Sequence, residues 1–344
     1  MNTKPNLFSL ATKELSQDAF FTWLLQWADQ SAASFDQQLH QVAKAFVQLL
    51  LGESSDYIVN QVQAGRQWKN IDVWAEVNGE YFIAIEDKTT TGEHSEQLEK
   101  YKRAAEEHYK ETGFKLVFIY LKTGNESLTT LKKITDKGYT VIGRKAILGV
   151  LQAKGVNNEI FVDFVEYLAT IENQTQTYST IQNIISDWRA AEGFYLQLQE
   201  QLGKWSDWGY VSNPTGGFLG FWYNWAETND YSLYIQIENR FDSGIKVVVK
   251  IGDWEPTIDT LYRIVAELQP YAVKHELTLV KPDKYRTGDT STLAVVKNAF
   301  ADGGDGNFDL AGFVQVLKRL ELVLNEYVAD AERVLSSAEV NDPS

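Results

Sequence analysis

Asp72 stands one residue into an apolar-rich segment, IDVWAEV, and Glu86-Asp87-Lys88 closes a second one, YFIAIEDK. Two carboxylates with a lysine beside them have a definite chemical use. Carboxylate oxygens are the hard ligands that Mg2+ or Mn2+ accepts, and such an ion keeps several waters when only one or two carboxylates hold it. Held that way, a divalent cation stabilises negative charge on a phosphoryl group and acidifies an attacking water. An adjacent ammonium adds positive charge and can orient that water. The pattern points to metal-dependent phosphodiester hydrolysis, with Asp72 and Glu86 as ligands. An acid-x-lysine triplet is by itself an ordinary surface pattern. This one ends an apolar strand, where charge is costly. No other such triplet occurs in the chain despite its 47 acidic residues. A polar helix carrying Gln97 and Tyr101 follows it.

These residues must be positioned by a hairpin. Side chains alternate along a strand, so Glu86 and Lys88 share one face and Asp87 points to the other. Substitution of Asp87 is therefore expected to be mild. A two-residue Asn78-Gly79 turn, the default for Asn-Gly, pairs Val77 with Glu80. It sets Asp72 opposite Ile85, on the wrong face. A three-residue loop, Val77-Asn78-Gly79 with Gly79 left-handed, pairs Glu76 with Glu80. Asp72 then lies opposite Ala84 and diagonal to Glu86. A bulge gives the same parity. The metal site thus requires an odd-count loop or a bulge.

Composition narrows the alternatives. The chain has 344 residues, 44% hydrophobic and 13% aromatic, enough for about two packed domains. The absence of cysteine excludes disulfides, thiolate zinc sites and cysteine nucleophiles. His40, His94, His108 and His275 are scattered, without metal-ligand spacing. A net charge of −15 makes the chain as a whole a poor passive binder of nucleic acid. Local basic regions matter more. Lys132, Lys133, Lys137, Arg144 and Lys145 form one, and Lys281, Lys284 and Arg286 with Tyr285 form another. Both read first as ordinary surface charge. The start, MNTKPNLFSLATKELSQD, lacks an apolar signal core, and no apolar run approaches membrane-spanning length. A cytoplasmic location is the expectation.

The patterning predicts helices over 15–27 and 35–51, and strands over 57–64, 71–77 and 81–87. A charged helix over 93–110, a buried strand over 114–121, a short strand over 139–142 and a helix from 146 follow. That order suggests a mixed sheet flanked by helices. Helices over 159–169 and 178–202 come next. In the second, Ile181, Trp188, Tyr195 and Leu202 recur every seven residues, a seam for packing on a neighbour or for dimerisation. After Gly203, alternating segments around 219–225, 233–237 and 245–249, with turns at Asn229-Asp230 and Ser243-Gly244, predict an antiparallel meander. A helix over 258–268, a strand over 277–280 and helices from Leu293 and Phe308 complete an α+β domain. Gly216-Gly217 and Gly303-Gly304 read as turns, and the tryptophans from Trp205 to Trp254 as core or as a sensing surface.

The first half resembles the PD-(D/E)xK nuclease superfamily, in a bacterial branch of uncharacterised members. The resemblance covers residues 10–155. It rests on Lys13-Glu14-Leu15 with WLLQW at 23–27, Ile71-Asp72, Ile85-Glu86-Asp87-Lys88 and Gln97-Leu98-Glu99-Lys100-Tyr101. FKLVFIYL, GYTVIG and RKAILGVL continue it. The proline that nominally precedes the first aspartate is replaced by Asn70-Ile71. The resemblance implies a restriction-endonuclease-like mixed sheet. It implies a site in which Asp72, Glu86 and Glu14 hold Mg2+ or Mn2+, Lys88 serves the water and Gln97 supports the metal site. Asp18, one turn after Glu14, is the alternative to it. Superfamily precedent implies DNA as substrate and a role in defence against foreign DNA.

The resulting expectation is a nuclease-like core over 1–155, a helical connector over 156–203, a C-terminal α+β domain over 204–338 and a tail over 339–344. Two other readings compete. One is an inactive nuclease fold that binds nucleic acid or protein. The other is a sensor whose aromatic C-terminal domain takes a ligand or protein partner.

Overall fold

The computed structural model describes residues 4–89, 96–152, 155–213, 216–241, 244–252, 255–300 and 307–340, with side chains to residue 331. The chain forms two compact units. One comprises residues 1–126 and 130–174, the other 127–129 and 175–344.

The first unit opens with α1 (Glu14–Trp27) and α2 (Gln37–Leu51), followed by β1 (Val62–Trp68), β2 (Ile71–Val77) and β3 (Tyr81–Lys88). Then come α3 (Gln97–Tyr109), β4 (Lys115–Lys122), α4 (Leu128–Asp136), β5 (Thr140–Gly143), α5 (Arg144–Leu151) and α6 (Glu159–Thr175). The sheet order is β1-β2-β3-β4-β5. Its first three strands are antiparallel, and β3, β4 and β5 run parallel. The β3 strand is central, and all eight of its residues are buried. Ile83 and Ile85 pack into a core with Phe21, Leu25 and Phe46 of α1 and α2. Phe82 and Ala84 pack on the other face with Leu98, Tyr101 and Tyr109 of α3. Helices cover both faces because a central strand with apolar residues on both sides must be covered on both. This is the mixed α/β fold that the sequence implied.

The hairpin register sets the position of Asp72. Val77 pairs with Tyr81 and Val73 with Ile85, so the loop is Asn78-Gly79-Glu80. The count is odd, as the metal site requires, but the loop begins one residue later than Val77-Asn78-Gly79. Asn78 (φ 54°) and Gly79 (φ 68°) are both left-handed, and the Glu80 amide donates to the Val77 carbonyl at 2.9 Å. Asn78 tolerates that conformation because its side chain is tied down. Its Oδ1 accepts from the Asn60 and Gln61 amides, and its Nδ2 donates to the Ile58 carbonyl. Glu80 is the extra residue between turn and ladder. Continuing this register places Asp72 across from Glu86 itself, not Ala84.

Other boundaries differ. Positions 57–61 precede β1 rather than forming part of it, and α4 was not anticipated. The helix expected from Glu93 is observed from Gln97. Glu93 and His94 lie outside the described residues.

The second unit contains α7 (Ile181–Ser186), α8 (Trp188–Leu202), β6 (Ser206–Val211), β7 (Phe218–Glu227), β8 (Ser232–Arg240) and β9 (Gly244–Gly252). It continues with α9 (Ile258–Lys274), β10 (Leu279–Val280), β11 (Thr290–Val296) and α10 (Leu310–Val340). The anticipated meander is the centre of a six-stranded sheet, β10-β11-β9-β8-β7-β6. The segment from Leu293 is strand, not helix, because it pairs with β9. The helix expected over 178–202 breaks at Asp187 (φ −121°, ψ 122°), whose side chain caps α8 through the Ala190 amide. The seven-residue seam is therefore interrupted. Tyr195 and Leu202 enter the core of this unit, while Trp188 stacks on Phe241 at its edge. The expected connector divides likewise. Phe161, Phe164 and Leu168 of α6 belong to the first core, and Phe194, Tyr195 and Leu198 of α8 to the second.

Ser243, Trp254, Gly303-Gly304 and the end of the tail from residue 341 lie outside the described residues. Among the described residues, no helix is long and apolar enough to cross a membrane.

Candidate nuclease site

The polar residues of the first unit gather where β2 begins and β3 ends, with the first turns of α1 and α3 alongside. Glu14 opens α1, where a carboxylate is favoured by the helix dipole. The next turn carries Gln17 and Asp18, both buried. Gln97 opens α3.

On one face of β3, the Lys88 ammonium lies 2.6 Å from Glu86 Oε1 and 3.8 Å from Glu14 Oε2. Glu86 is only 1% exposed. Burial, then the nearby Asp72 carboxylate, pushes its carboxyl up to about 8, against the opposing pull of Lys88. Burial alone would lower the Lys88 ammonium, but Glu86, Glu14 and Asp72 outweigh it and hold the group above its ordinary value. Lys88 is therefore a cation at neutral pH, suited to donating hydrogen bonds and not to taking a proton. Asp72 Oδ2 accepts from the Asp87 amide at 3.2 Å. Glu14 Oε1 accepts from the Thr89 amide at 3.3 Å. The Gln97 amide donates to the Tyr101 hydroxyl at 2.5 Å. Burial raises the Tyr101 hydroxyl, and the charges of Glu86 and Asp72 raise it further, which puts this helix turn within reach of the cluster's field.

The other face of β3 is closed. Asp87 is fully buried. Gln17 Nε2 donates to Asp87 Oδ1 at 2.5 Å, and Gln17 Oε1 accepts from the Thr123 hydroxyl at 2.7 Å. The Asp18 carboxyl adjoins Asp87. Burial, then repulsion from Asp72, pushes Asp18 up to about 6. Burial and then Asp18 drive Asp87 well above the ordinary range. Two buried carboxyls in contact share a proton, because both cannot be ionised there. The expectation that Asp87 could be changed mildly is thus corrected. Its face is not solvent but a dry polar contact between α1 and β3.

The structure brings Asp72, Glu86, Lys88 and Glu14 together, while Gln97 bonds to Tyr101, whose hydroxyl feels the charges of Glu86 and Asp72. Asp18 sits between that cluster and Asp87 and does not replace Glu14 beside Lys88. Gln17, Thr123 and the part played by Tyr101 were missed. Their one sequence signal was the charged triplet on a strand apolar on both sides, which leaves Asp87 no route to water. Arg144, anticipated as a surface cation, is 5% exposed and donates to Glu172, Asn125 and the Thr123 carbonyl.

Whether a divalent cation suits these side chains turns on Glu86. Apart from the Lys88 ion pair, neither of its buried carboxylate oxygens accepts a hydrogen bond, and the Asp72 carboxylate stands against it. Two hard oxygen donors in mutual repulsion are a donor set that a cation relieves. Among the described residues, no group of three or more His, Cys, Asp or Glu side chains is arranged to hold a metal ion. A Mg2+-type ion that retains several waters does not need such a cage.

The model of the PD-(D/E)XK nuclease superfamily matches residues 5–192. That is more than half of the chain, which therefore belongs to this superfamily. No curated protein and no solved structure matches it.

Proposed function

We propose that this protein is a metal-dependent nuclease that hydrolyses phosphodiester bonds in DNA, with its site where β2 begins and β3 ends. The observation that carries the reading is the pairing of buried Glu86 with Asp72 beside a cationic Lys88. Asp72 and Glu86 would hold Mg2+ or Mn2+, with Glu14 next to them at the rim. Bound there, the ion would supply Lewis acidity toward a phosphoryl oxygen and lower the pKa of a water. Lys88 donates hydrogen bonds that aim the attacking water and offsets the negative charge that grows on the phosphate. Glu14 restrains the Lys88 ammonium and the Thr89 backbone at the strand end. Gln97 would support the site through its bond to Tyr101. DNA as substrate and a role in defence against foreign DNA follow superfamily precedent. The deciding experiment incubates supercoiled, linear and single-stranded DNA, and RNA, with Mg2+, Mn2+ or Ca2+. Cleavage of DNA with Mg2+ or Mn2+ that disappears in Lys88→Ala is the expected result. Absence of cleavage of every substrate with every metal would replace the enzyme reading with that of a binding module.

A further inference from the structure

The six-stranded sheet of the second unit has two unlike faces. Leu233, Ile235 and Ile237 of β8, with Val247, Val249 and Ile251 of β9, point into the core beneath α8, α9 and α10. The alternate residues form the other face, a concavity of about 750 Å³. Its rows follow the strand register. Trp222 sits across from Gln236, and Gln236 from Val248. Tyr234 sits across from Lys250, and Lys250 from Thr292.

The lining is basic, in a chain of net charge −15. Among the described residues that line it, Arg240, Lys246, Lys250, Lys284 and Arg286 are answered by Glu238 and Asp283. Glu238 is already engaged with Arg240 at 3.3 Å and Lys246 at 3.2 Å. Lys250 faces no carboxylate within ion-pair distance among the described residues. Its ammonium donates to the Thr292 hydroxyl at 3.3 Å. Burial, and then the neighbouring Lys246 and Arg240, hold it below its ordinary value despite Glu238. A half-buried ammonium among other cations is stabilised by an anion that enters the concavity.

Aromatic surface lies within the same hollow. Gly220 has no side chain, and a methyl group there would come within 3.3 Å of the Trp222 indole and 3.2 Å of the Phe218 ring. The glycine thus leaves room for both rings to lie along the sheet. The Arg240 guanidinium sits 4.7 Å over Phe218.

We propose that this concave face binds a nucleotide unit, with its base stacked on Trp222 and its phosphate held by Lys250, Lys246 and Arg286. The chemistry is that of sheet surfaces that bind single-stranded nucleic acid, in which cations track phosphates and aromatic rings take bases. The volume accommodates one or two nucleotides and falls within the usual range for ligand sites. The unit has two sources, a free nucleotide or a stretch of single-stranded nucleic acid. The inference stands apart from the nuclease reading, since it uses no residue of the first unit.

The test is calorimetric titration of the full chain in EDTA with adenosine monophosphate, a dT6 oligonucleotide and inorganic pyrophosphate. Binding of the monophosphate or of dT6, weakening as salt rises, is expected. Lys250→Gln should reduce the affinity at least tenfold. Lys284→Glu with Arg286→Glu changes two exposed positions, preserves the fold, and should reduce it by a similar factor. Preference for dT6 identifies single-stranded nucleic acid as the source, and preference for the monophosphate a free nucleotide. Pyrophosphate binding as tightly as either would remove the base from the proposal and overturn it. No binding of any probe at millimolar concentration, or affinities unchanged in both variants, would also overturn it.

Discussion

Glu86 and Asp87 are neighbours on one strand, both carboxylic acids and both buried, yet their surroundings assign them opposite work. Glu86 faces Asp72, Lys88 and Glu14, a cluster whose outer members reach solvent. Asp87 faces Gln17, Asp18 and Thr123, which close over it. In the first group, burial and the Asp72 carboxylate make Glu86 hold a proton up to about pH 8, and a divalent cation would take that proton's place. In the second, Gln17 donates to Asp87 Oδ1, and Asp87 Oδ2 and Asp18 Oδ1 have no donor other than a proton shared between the two carboxyls. Burial and a raised pKa therefore do not by themselves mark a catalytic carboxylate. Both also keep a buried oxygen without a hydrogen-bond donor; what separates the two is that Asp72 and Glu14 beside Glu86 reach solvent, whereas Gln17, Asp18 and Thr123 around Asp87 are all buried.

The comparison is most sharply tested by turnover. Lys88→Ala should lower DNA cleavage at least about a hundredfold, equivalent to roughly 3 kcal/mol of barrier, while circular dichroism shows an intact fold. Added metal should not rescue it. Glu86→Ala should be equally inactive and should also weaken Mn2+ binding measured by calorimetry. Cleavage by Lys88→Ala at the wild-type rate would end the distinction between the faces.

Asp87→Ala should do the reverse. It leaves the Gln17 amide and the Asp18 carboxyl without their partner in a dry site, a loss of about 1–3 kcal/mol. The melting temperature should fall by several degrees, while turnover per folded molecule changes little. An inactive Asp87→Ala with unchanged melting would exchange the roles of the two faces.

Acidity tests the shared proton. Asp18, Asp87 and Glu86 are all raised, so the metal-free folded chain binds protons that the unfolded chain releases. Stability from these groups is complete below their unfolded values, near pH 4, and is lost as pH rises through about 6 and toward 8. Asp72, Glu14, Arg66 and Lys88 face them and set the remaining charge balance. In EDTA, Asp18→Asn should gain on the wild type by about 1.4 kcal/mol between pH 5 and 8. A difference in melting temperature that stays flat across that range would mean Asp18 is ionised throughout.

The smallest effect belongs to Gln97. It bonds to Tyr101, whose hydroxyl feels the charges of Glu86 and Asp72, so Gln97→Ala should cost about 1 kcal/mol, less than tenfold in kcat/KM. A loss as large as that of Lys88→Ala would place Gln97 on the substrate or the metal.

Much of the first unit was legible because its signals are local. The apolar alternation of IDVWAEV, the both-faced apolar run YFIAI and the Asn78-Gly79 turn define strands and hairpin with no knowledge of what packs on them. The acid-x-lysine spacing alone puts Glu86 and Lys88 on one face. Parity required an odd loop, and the sequence could go no further. Whether Val77 or Glu80 is the third loop residue depends on long-range contacts: Asn78 bonded to the chain at Ile58, Asn60 and Gln61, and the Glu80 carbonyl accepting from Lys115. Those contacts moved Asp72 from Ala84 to Glu86. The burial of Asp87 by Gln17, the break of the 178–202 helix at Asp187 and the extra strands beside the meander were settled in the same way. Periodicity states which face of an element is apolar. Only tertiary packing states which element meets that face, and that meeting decides whether a carboxylate lies in a closed contact or at an open one.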